Sequence, residues 1–213
     1  MAAAGCGRAP WLRGGGVAFW QKNCYTIGVV GPMPEKWKMI IEPLKIKGAF
    51  MLRQERHCDE RGFFARQFCM HELKAAGIDF EIKQCNVSLN LRKGTLRGLH
   101  YQKDPYPEIK LVSCMRGRIY DVLVDIRPES DTYLKWFANE LSFENGVTMY
   151  IPAGVAHGFM ALEDDSIVYY QVGEYFQAEC YGGLRWNDPK LNIEWPDCDA
   201  LIINERDAGY ELL

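Results

Sequence analysis

The sequence predicts an all-β fold, an antiparallel jelly-roll barrel carrying one or a few short helices. Short runs of β-branched and aromatic residues recur along the chain, separated at close intervals by Gly, Pro, Asn and Asp, the texture of a sandwich or barrel. Only one segment has convincing helical spacing, which sets aside the alternation of strands and helices that a parallel sheet requires.

The β-domain opens at Met39-Ile40-Ile41-Glu42-Pro43. Candidate strands then run from Ala49 to Arg56, Arg61 to Phe68, Ile82 to Asn90, Gly94 to Gln102, Lys110 to Arg116, Gly117 to Ile126, Trp136 to Leu141, Thr148 to Ile151, His157 to Ala161 and Ser166 to Val172. The helix is Met70 to Ala76, with Gly77 placed to end it. A chain of 213 residues, 48% of them hydrophobic, can bury one sizeable core and does not need two, so residues 39–213 read as a single domain. Residues 1–38 carry Trp11, Trp20, Trp37 and a Gly14-Gly15-Gly16 run without clean periodicity. They read as a poorly ordered extension ahead of a natural start at Met39; the alternative is an arm that packs on the barrel.

A net charge of −3 argues against a general nucleic-acid or anionic-membrane surface, which needs a basic excess. Any phosphate must therefore be met by a local site. No run of about twenty apolar residues is present to span a membrane as a helix. The eight cysteines, Cys6, Cys24, Cys58, Cys69, Cys85, Cys114, Cys180 and Cys198, form no CxxC pair and read as reduced thiols of a cytoplasmic protein.

Strand alternation gives the first indication of a site. From Ile82 to Ser88, period two places Ile82, Gln84, Asn86 and Ser88 on one face and Lys83, Cys85 and Val87 on the other. Three uncharged hydrogen-bonding side chains in a row suit either a polar pocket inside the barrel or a solvated face. In Ser166 to Val172, Tyr170 shares a face with Val168 and Val172, so its ring points to the apolar interior and its hydroxyl needs a partner there, structural or ligand.

Four histidines are present, His57, His71, His100 and His157. His100 lies in Leu96-Arg97-Gly98-Leu99-His100-Tyr101-Gln102, and His157 in a strand, turn and strand from Ile151 to Phe159. Barrels of this kind that hold iron, manganese or zinc use an H-x-H pair with a downstream Glu and a later His. Here the stretch reads His100-Tyr101-Gln102, and two imidazoles alone make a poor divalent site. The pocket is therefore read as doing acid–base work, with no metal and no cofactor.

The segments Asp59-Glu60-Arg61-Gly62-Phe63-Phe64, Gln84-Cys85-Asn86-Val87-Ser88, Gly94 through Gln102, Lys110-Leu111-Val112, Asp121 through Arg127, Ile151-Pro152 through Gly158-Phe159, Trp186-Asn187-Asp188-Pro189 and Trp195-Pro196 occur together and in order. In this the chain resembles the dTDP-4-dehydrorhamnose 3,5-epimerase family over nearly everything from Met39 to Leu213. The resemblance implies a cupin-like barrel and an isomerase that inverts C3, C5 or both of a 4-keto-6-deoxy nucleotide sugar. A ketone at C4 acidifies the neighbouring C–H bonds, so such an enzyme needs a base, a stabiliser for the enolate and an acid on the other face. By the resemblance His100 is the base, oriented by Asp207; Lys110 meets the C4 oxygen; and Tyr170 is the acid. The binding residues carried over are Arg61, Phe64, Gln84, Asn86, Arg97 and His157, with Arg61 and Arg97 meeting the diphosphate. A homodimer is implied, Arg61 and Phe64 reaching in from the neighbouring subunit.

One geometric difficulty follows. Arg97 and His100 are three apart and point to opposite faces of a regular strand, unless Gly98 permits a bulge. Two positions depart from the family pattern. Arg66, in the base-binding neighbourhood, stands where a Glu is common, and Phe176 replaces the second member of a Tyr-Tyr pair. They leave the nucleotide base and the number of inverted centres open, so a single-centre epimerase on a dTDP- or CDP-sugar is the alternative reading. A metal-dependent oxygenase and a catalytically silent sugar-binding barrel are the competing classes.

Overall fold

The computed structural model describes Tyr25–Thr26 and residues 38–213. The strands are β1 (Tyr25–Thr26), β2 (Met39–Pro43), β3 (Phe50–Gln54), β4 (His57–Asp59), β5 (Gly62–Phe64), β6 (Gln84–Asn90), β7 (Leu96–Gln102), β8 (Lys110–Arg116), β9 (Arg118–Asp125), β10 (Trp136–Ser142), β11 (Val147–Ile151), β12 (Val155–Ala161), β13 (Ser166–Val172) and β14 (Tyr181–Gly183). The helices are α1 (Met70–Ala75) and the short α2 (Glu205–Ala208). Two sheets form the jelly roll, in the orders β10-β9-β12-β7-β14 and β2-β3-β11-β8-β13-β6, and β1-β4-β5 forms a small third sheet. All pairings within the two large sheets are antiparallel.

Alternation along the strands divides the apolar side chains into three layers. Val112, Cys114, Ile119, Leu123, Leu141, Met149, Val155, Phe159 and Val168 point inward and form the core between the sheets. Leu111 and Tyr150 point outward from the six-stranded sheet, where Leu73 of α1, Ile78 and Phe80 cover them. Leu99, Val122, Val124 and Ala156 point outward from the other sheet and are covered by Leu184 and Leu191 of the C-terminal segment. Leu73 is fully buried, so this one side chain contributes about 1.5–3 kcal/mol to seating α1 on the sheet. Gly77, at φ +79°, ends the helix as expected, and Ile78 N–H donates back to Leu73 O.

Several sequence motifs turn out to be braces. Asp125 is fully buried and accepts from Arg127 Nε at 2.8 Å, Ser130 Oγ at 2.6 Å and Thr132 Oγ1 at 2.6 Å. Burial pushes its carboxyl up, but these hydrogen bonds outweigh burial and hold it well below the usual carboxylate range. Asp188 Oδ2 accepts from the Leu213 backbone N–H at 2.6 Å, and Trp195 Nε1 donates to Trp186 O at 2.8 Å, so the tryptophan motifs tie down the C-terminal tail.

Three expectations need correction. The run from Arg61 to Phe68 is a strand only over Gly62–Phe64, after which the chain leaves the small sheet. Ile82 does not continue the face of Gln84, Asn86 and Ser88; it packs in the outer layer beside Phe80, just before β6 begins. The expectation of eight reduced thiols fails at Cys58, which is disulfide-bonded, whereas Cys69, Cys85, Cys114, Cys180 and Cys198 are free. The reading of residues 1–38 lies outside the described residues except at Tyr25–Thr26, which pair in parallel with His57–Cys58, and at Lys38, which is exposed.

Candidate active site

At one end of the barrel the two sheets part around a cavity of about 310 Å³. The five-stranded sheet contributes Arg97 and His100 from β7, His157 and Phe159 from β12 and Tyr181 from β14. The six-stranded sheet contributes Asn86 and Ser88 from β6, Lys110 from β8 and Tyr170 from β13. Of the polar face read from β6, Asn86 and Ser88 line the cavity, Asn86 while also exposed to solvent, and Gln84 does not line it.

Arg97 and His100 share the pocket because β7 is bulged. His157 pairs with His100 and Phe159 with Arg97, so three steps along β7 match two along β12. Gly98 makes this possible. Its φ is +120°, and a Cβ there would stand 2.5 Å from Gly158 Cα and 2.8 Å from His157 O. Gly158 is required in turn, since its own Cβ would stand 2.8 Å from Arg97 O. The glycine bulge expected from the sequence is therefore present and reconciles the two side chains.

Asp207 arrives from the far end of the chain. The C-terminal segment lies along the start of β7, with Leu96 N–H donating to Ile202 O and Ile202 N–H to Gly94 O, both near 3 Å. It then turns into α2, where Asn204 accepts from Asp207 N–H at 2.7 Å. The fully buried Asp207 carboxylate accepts from Gly98 N–H at 3.0 Å and lies 2.8 Å from His100 Nε2. Burial pushes Asp207 up, yet the hydrogen bonds from His100 and Gly98 prevail and keep it ionised. The ionised carboxylate fixes the proton on Nε2, which leaves Nδ1 as the basic nitrogen. Burial lowers the pKa of His100 below 6.5 against the opposing pull of Asp207, so the ring is neutral at neutral pH and competent as a base.

The opposite wall holds Tyr170. Burial, reinforced by the negative charge of Asp121, raises its phenol far above the ordinary value, so it stays protonated and can donate. Ser88, which lines the same cavity, offsets a small part of that rise. Asp121 also forms a second buried pair, 2.6 Å from His157 Nε2, with the His157 ring edge-on to Tyr170. Lys110 Nζ lies 2.6 Å from Glu108 Oε1 at the same cavity. The pocket therefore presents a neutral imidazole, an ammonium and a protonated phenol to one space, the set that removes a proton beside a carbonyl, holds the enolate and returns a proton.

The remaining expected residues are placed as follows. Gln84 stands at the rim, where its side-chain oxygen accepts from Phe176 N–H at 2.8 Å. Arg61, Phe64 and Arg66 do not line this cavity. Arg61 is exposed and paired with Asp59, Phe64 is 60% exposed, and Arg66 pairs with Glu72 at 3.1 Å. Glu108, Tyr181, Asn204 and Arg206 line the cavity as well, none of them expected there. Asn204 and Arg206 flank Asp207 and could have been taken with it, whereas nothing in the local pattern marks Tyr181, whose ring sits 5.2 Å from that of His100. Among the described residues no three His, Cys, Asp or Glu side chains converge as metal ligands would.

A two-sheet jelly roll with an acid–base pocket between its sheets and cationic side chains at the pocket edge defines a barrel enzyme suited to proton transfer on an anionic substrate. Residues 43–213 match the family model described as dTDP-4-dehydrorhamnose 3,5-epimerase. The dTDP-4-dehydrorhamnose 3,5-epimerase of Sinorhizobium fredii is 40% identical over 176 residues, 83% of this chain and 90% of that one. The structure of the Bacillus anthracis enzyme of that name, with TDP and PPi bound, is 38% identical with a TM-score of 0.80, over 83% of this chain and all of that one. A 3'-monoepimerase from Streptomyces bikiniensis, in complex with dTDP-quinovose, is 31% identical with a TM-score of 0.76, over 80% of this chain and 86% of that one. The chain belongs to the dTDP-4-dehydrorhamnose 3,5-epimerase family and is an isomerase of deoxysugar biosynthesis.

Proposed function

We propose that this protein converts dTDP-4-dehydro-6-deoxy-D-glucose to dTDP-4-dehydro-L-rhamnose by inverting C3 and C5, with the residue roles that follow. His100 Nδ1 removes the proton beside the C4 ketone, and Asp207 stabilises the imidazolium that forms. Lys110 places its ammonium at the C4 oxygen, where negative charge develops. Tyr170, on the facing sheet, delivers a proton to the other side of the sugar ring. Asn86, Arg97 and His157 line the path from sugar to diphosphate, with Arg206 at the mouth as a further cation. The observation that carries the reading is the juxtaposition of the His100–Asp207 pair with Lys110 and Tyr170 in one cavity.

The protein acts as a homodimer in this reading. Arg61 and Phe64 stand outside the cavity of their own chain, and Val87, Leu89 and Leu91 at the β6 edge are 69%, 49% and 63% exposed, apolar surface that a second copy would cover. Arg61, Phe64 and Arg66 would then complete the partner's nucleotide site. Light scattering should give twice the 24.5 kDa of one chain. Cytoplasmic action is supported by the five free thiols among the described residues, against which stands the disulfide at Cys58.

The test is the substrate in D₂O followed by NMR. Deuterium should enter at C3 and at C5, and His100→Ala should abolish both. Label at one carbon alone would favour the single-centre reading, which the similarity to a monoepimerase and the phenyl ring of Phe176 at the pocket keep in play. Absence of label at either carbon would overturn the assignment.

A further inference from the structure

Lys110 is the first residue of β8, and its four-carbon stem has to be held if the ammonium is to meet a developing oxyanion. Among the described residues Glu108 is the one carboxylate within 4 Å of Lys110 Nζ, at 2.6 Å, and each of the two side chains is 11% exposed. The contact is one of opposite charges at short range, with Oε1 lying off the direction of a well-formed hydrogen bond, so that oxygen keeps lone pairs free. Glu108 also borders the cavity together with His100, Tyr181 and Arg206.

The backbone around Glu108 is fixed on both sides. Lys103 N–H donates to Cys180 O, Gln102 Nε2 donates to Tyr106 O at 2.9 Å, and Gly173 N–H donates to Ile109 O at 2.8 Å. Ile109 packs into the outer apolar layer. The carboxylate therefore hangs from a segment anchored to β7, to Gly173 after β13 and to Cys180 before β14, and the ammonium from a β8 paired on both sides, so the short contact between them limits the torsions of both stems. An anion held 2.6 Å from the ammonium restricts where the ammonium stands.

We infer that Glu108 is a positioning residue, holding the Lys110 ammonium at the point in the cavity where the C4 oxygen of the sugar becomes an enolate. It takes no proton in the reaction and acts only through Lys110. An ammonium has three N–H groups, so one can face Glu108 while the others face substrate. The inference rests on the reading of Lys110 given above.

The experiment measures deuterium incorporation into the 4-keto nucleotide sugar by the full-length protein, with kcat and KM separated, in Glu108→Ala, Glu108→Gln, Lys110→Ala and the double variants. Glu108→Ala should lower kcat on the order of 10²-fold, the cost of about 1 Å of misplacement, while KM stays within about threefold. Glu108→Gln, isosteric and so safe for folding, keeps an acceptor but loses its charge assistance and should fall between Glu108→Ala and the native protein. On the Lys110→Ala background either change should cost less than about twofold, because no ammonium is left to place. Native kcat in Glu108→Gln, or a loss undiminished on the Lys110→Ala background, would overturn the inference and leave the role of Lys110 standing. Native kcat in Lys110→Ala would instead remove the role of Lys110, and this inference with it.

Discussion

His100 Nε2 and Asp207 Oδ1 stand 2.8 Å apart although they are 107 positions apart in the sequence, and the same carboxylate receives the N–H of Gly98, the residue that bends β7. One buried anion thus sets the tautomer of the base and braces the bulge that aims it. Replacing His100 by Ala should lower kcat about 10²- to 10⁴-fold, the range for a lost general base. Asp207→Asn should lower kcat within the same range, because the neutral amide cannot balance the imidazolium. It should also cost about 1–3 kcal/mol of stability through the bond to Gly98. A chemical melt beside the turnover assay separates the two effects.

The acid limb of the rate profile follows from the surroundings of His100. Burial lowers its pKa below 6.5, and Asp207 only partly offsets that. With His100 as the proposed base the neutral ring is the active form, so activity is expected above the folded value and is lost as pH falls through it. The midpoint of the acid limb of kcat/KM should therefore lie below 6.5, and Asp207→Asn should move it further down because the raising influence is gone. A midpoint above 6.5 would mean that the carboxylate, not burial, governs the ring.

Much of this was legible in the sequence where local chemistry sets geometry. The limits of β8 and β13 coincide with those read from their apolar runs, because turn residues bound them: Gly117, at φ +70°, ends β8, Asp165, at φ +55°, precedes β13 and Gly173 follows it. Gly98 was readable as a bulge because two side chains three apart could not otherwise meet. The placement of Glu108 and Tyr181 was not readable: one lies in a loop, the other on a three-residue strand, and only the fold of the tail and sheet edge brings them to His100. Nor does any single-chain pattern explain why Arg61 and Phe64 stand outside the cavity, since their partner surface belongs to another molecule in the proposed dimer.

Tyr170→Phe should separate proton exchange from inversion. In the proposed mechanism the hydroxyl is the donor on the face away from His100, and its loss leaves removal and return of the proton on the His100 side intact. Deuterium should therefore still enter the starting sugar, whereas the inverted product should form about 10²-fold or more slowly. Equal losses of exchange and inversion would place Tyr170 in the proton-removal step instead.

The bulge itself can be tested through its two glycines. A Cβ at Gly98 meets Gly158 Cα and His157 O at 2.5 and 2.8 Å, and a residue with a side chain would also be held at φ +120°. Gly98→Ala should therefore destabilise the protein by about 3 kcal/mol or more, the sum of overpacking and backbone strain. Gly158→Ala meets Arg97 O at 2.8 Å without the unfavourable φ, so it should cost less, about 1–3 kcal/mol. Both changes push β7 and β12 apart where His100 and Arg97 face the cavity, so the folded fraction of each variant should also show a reduced kcat. If Gly98→Ala melted like the native protein, the close approach of β7 and β12 would not be what holds the imidazole and the guanidinium on one face.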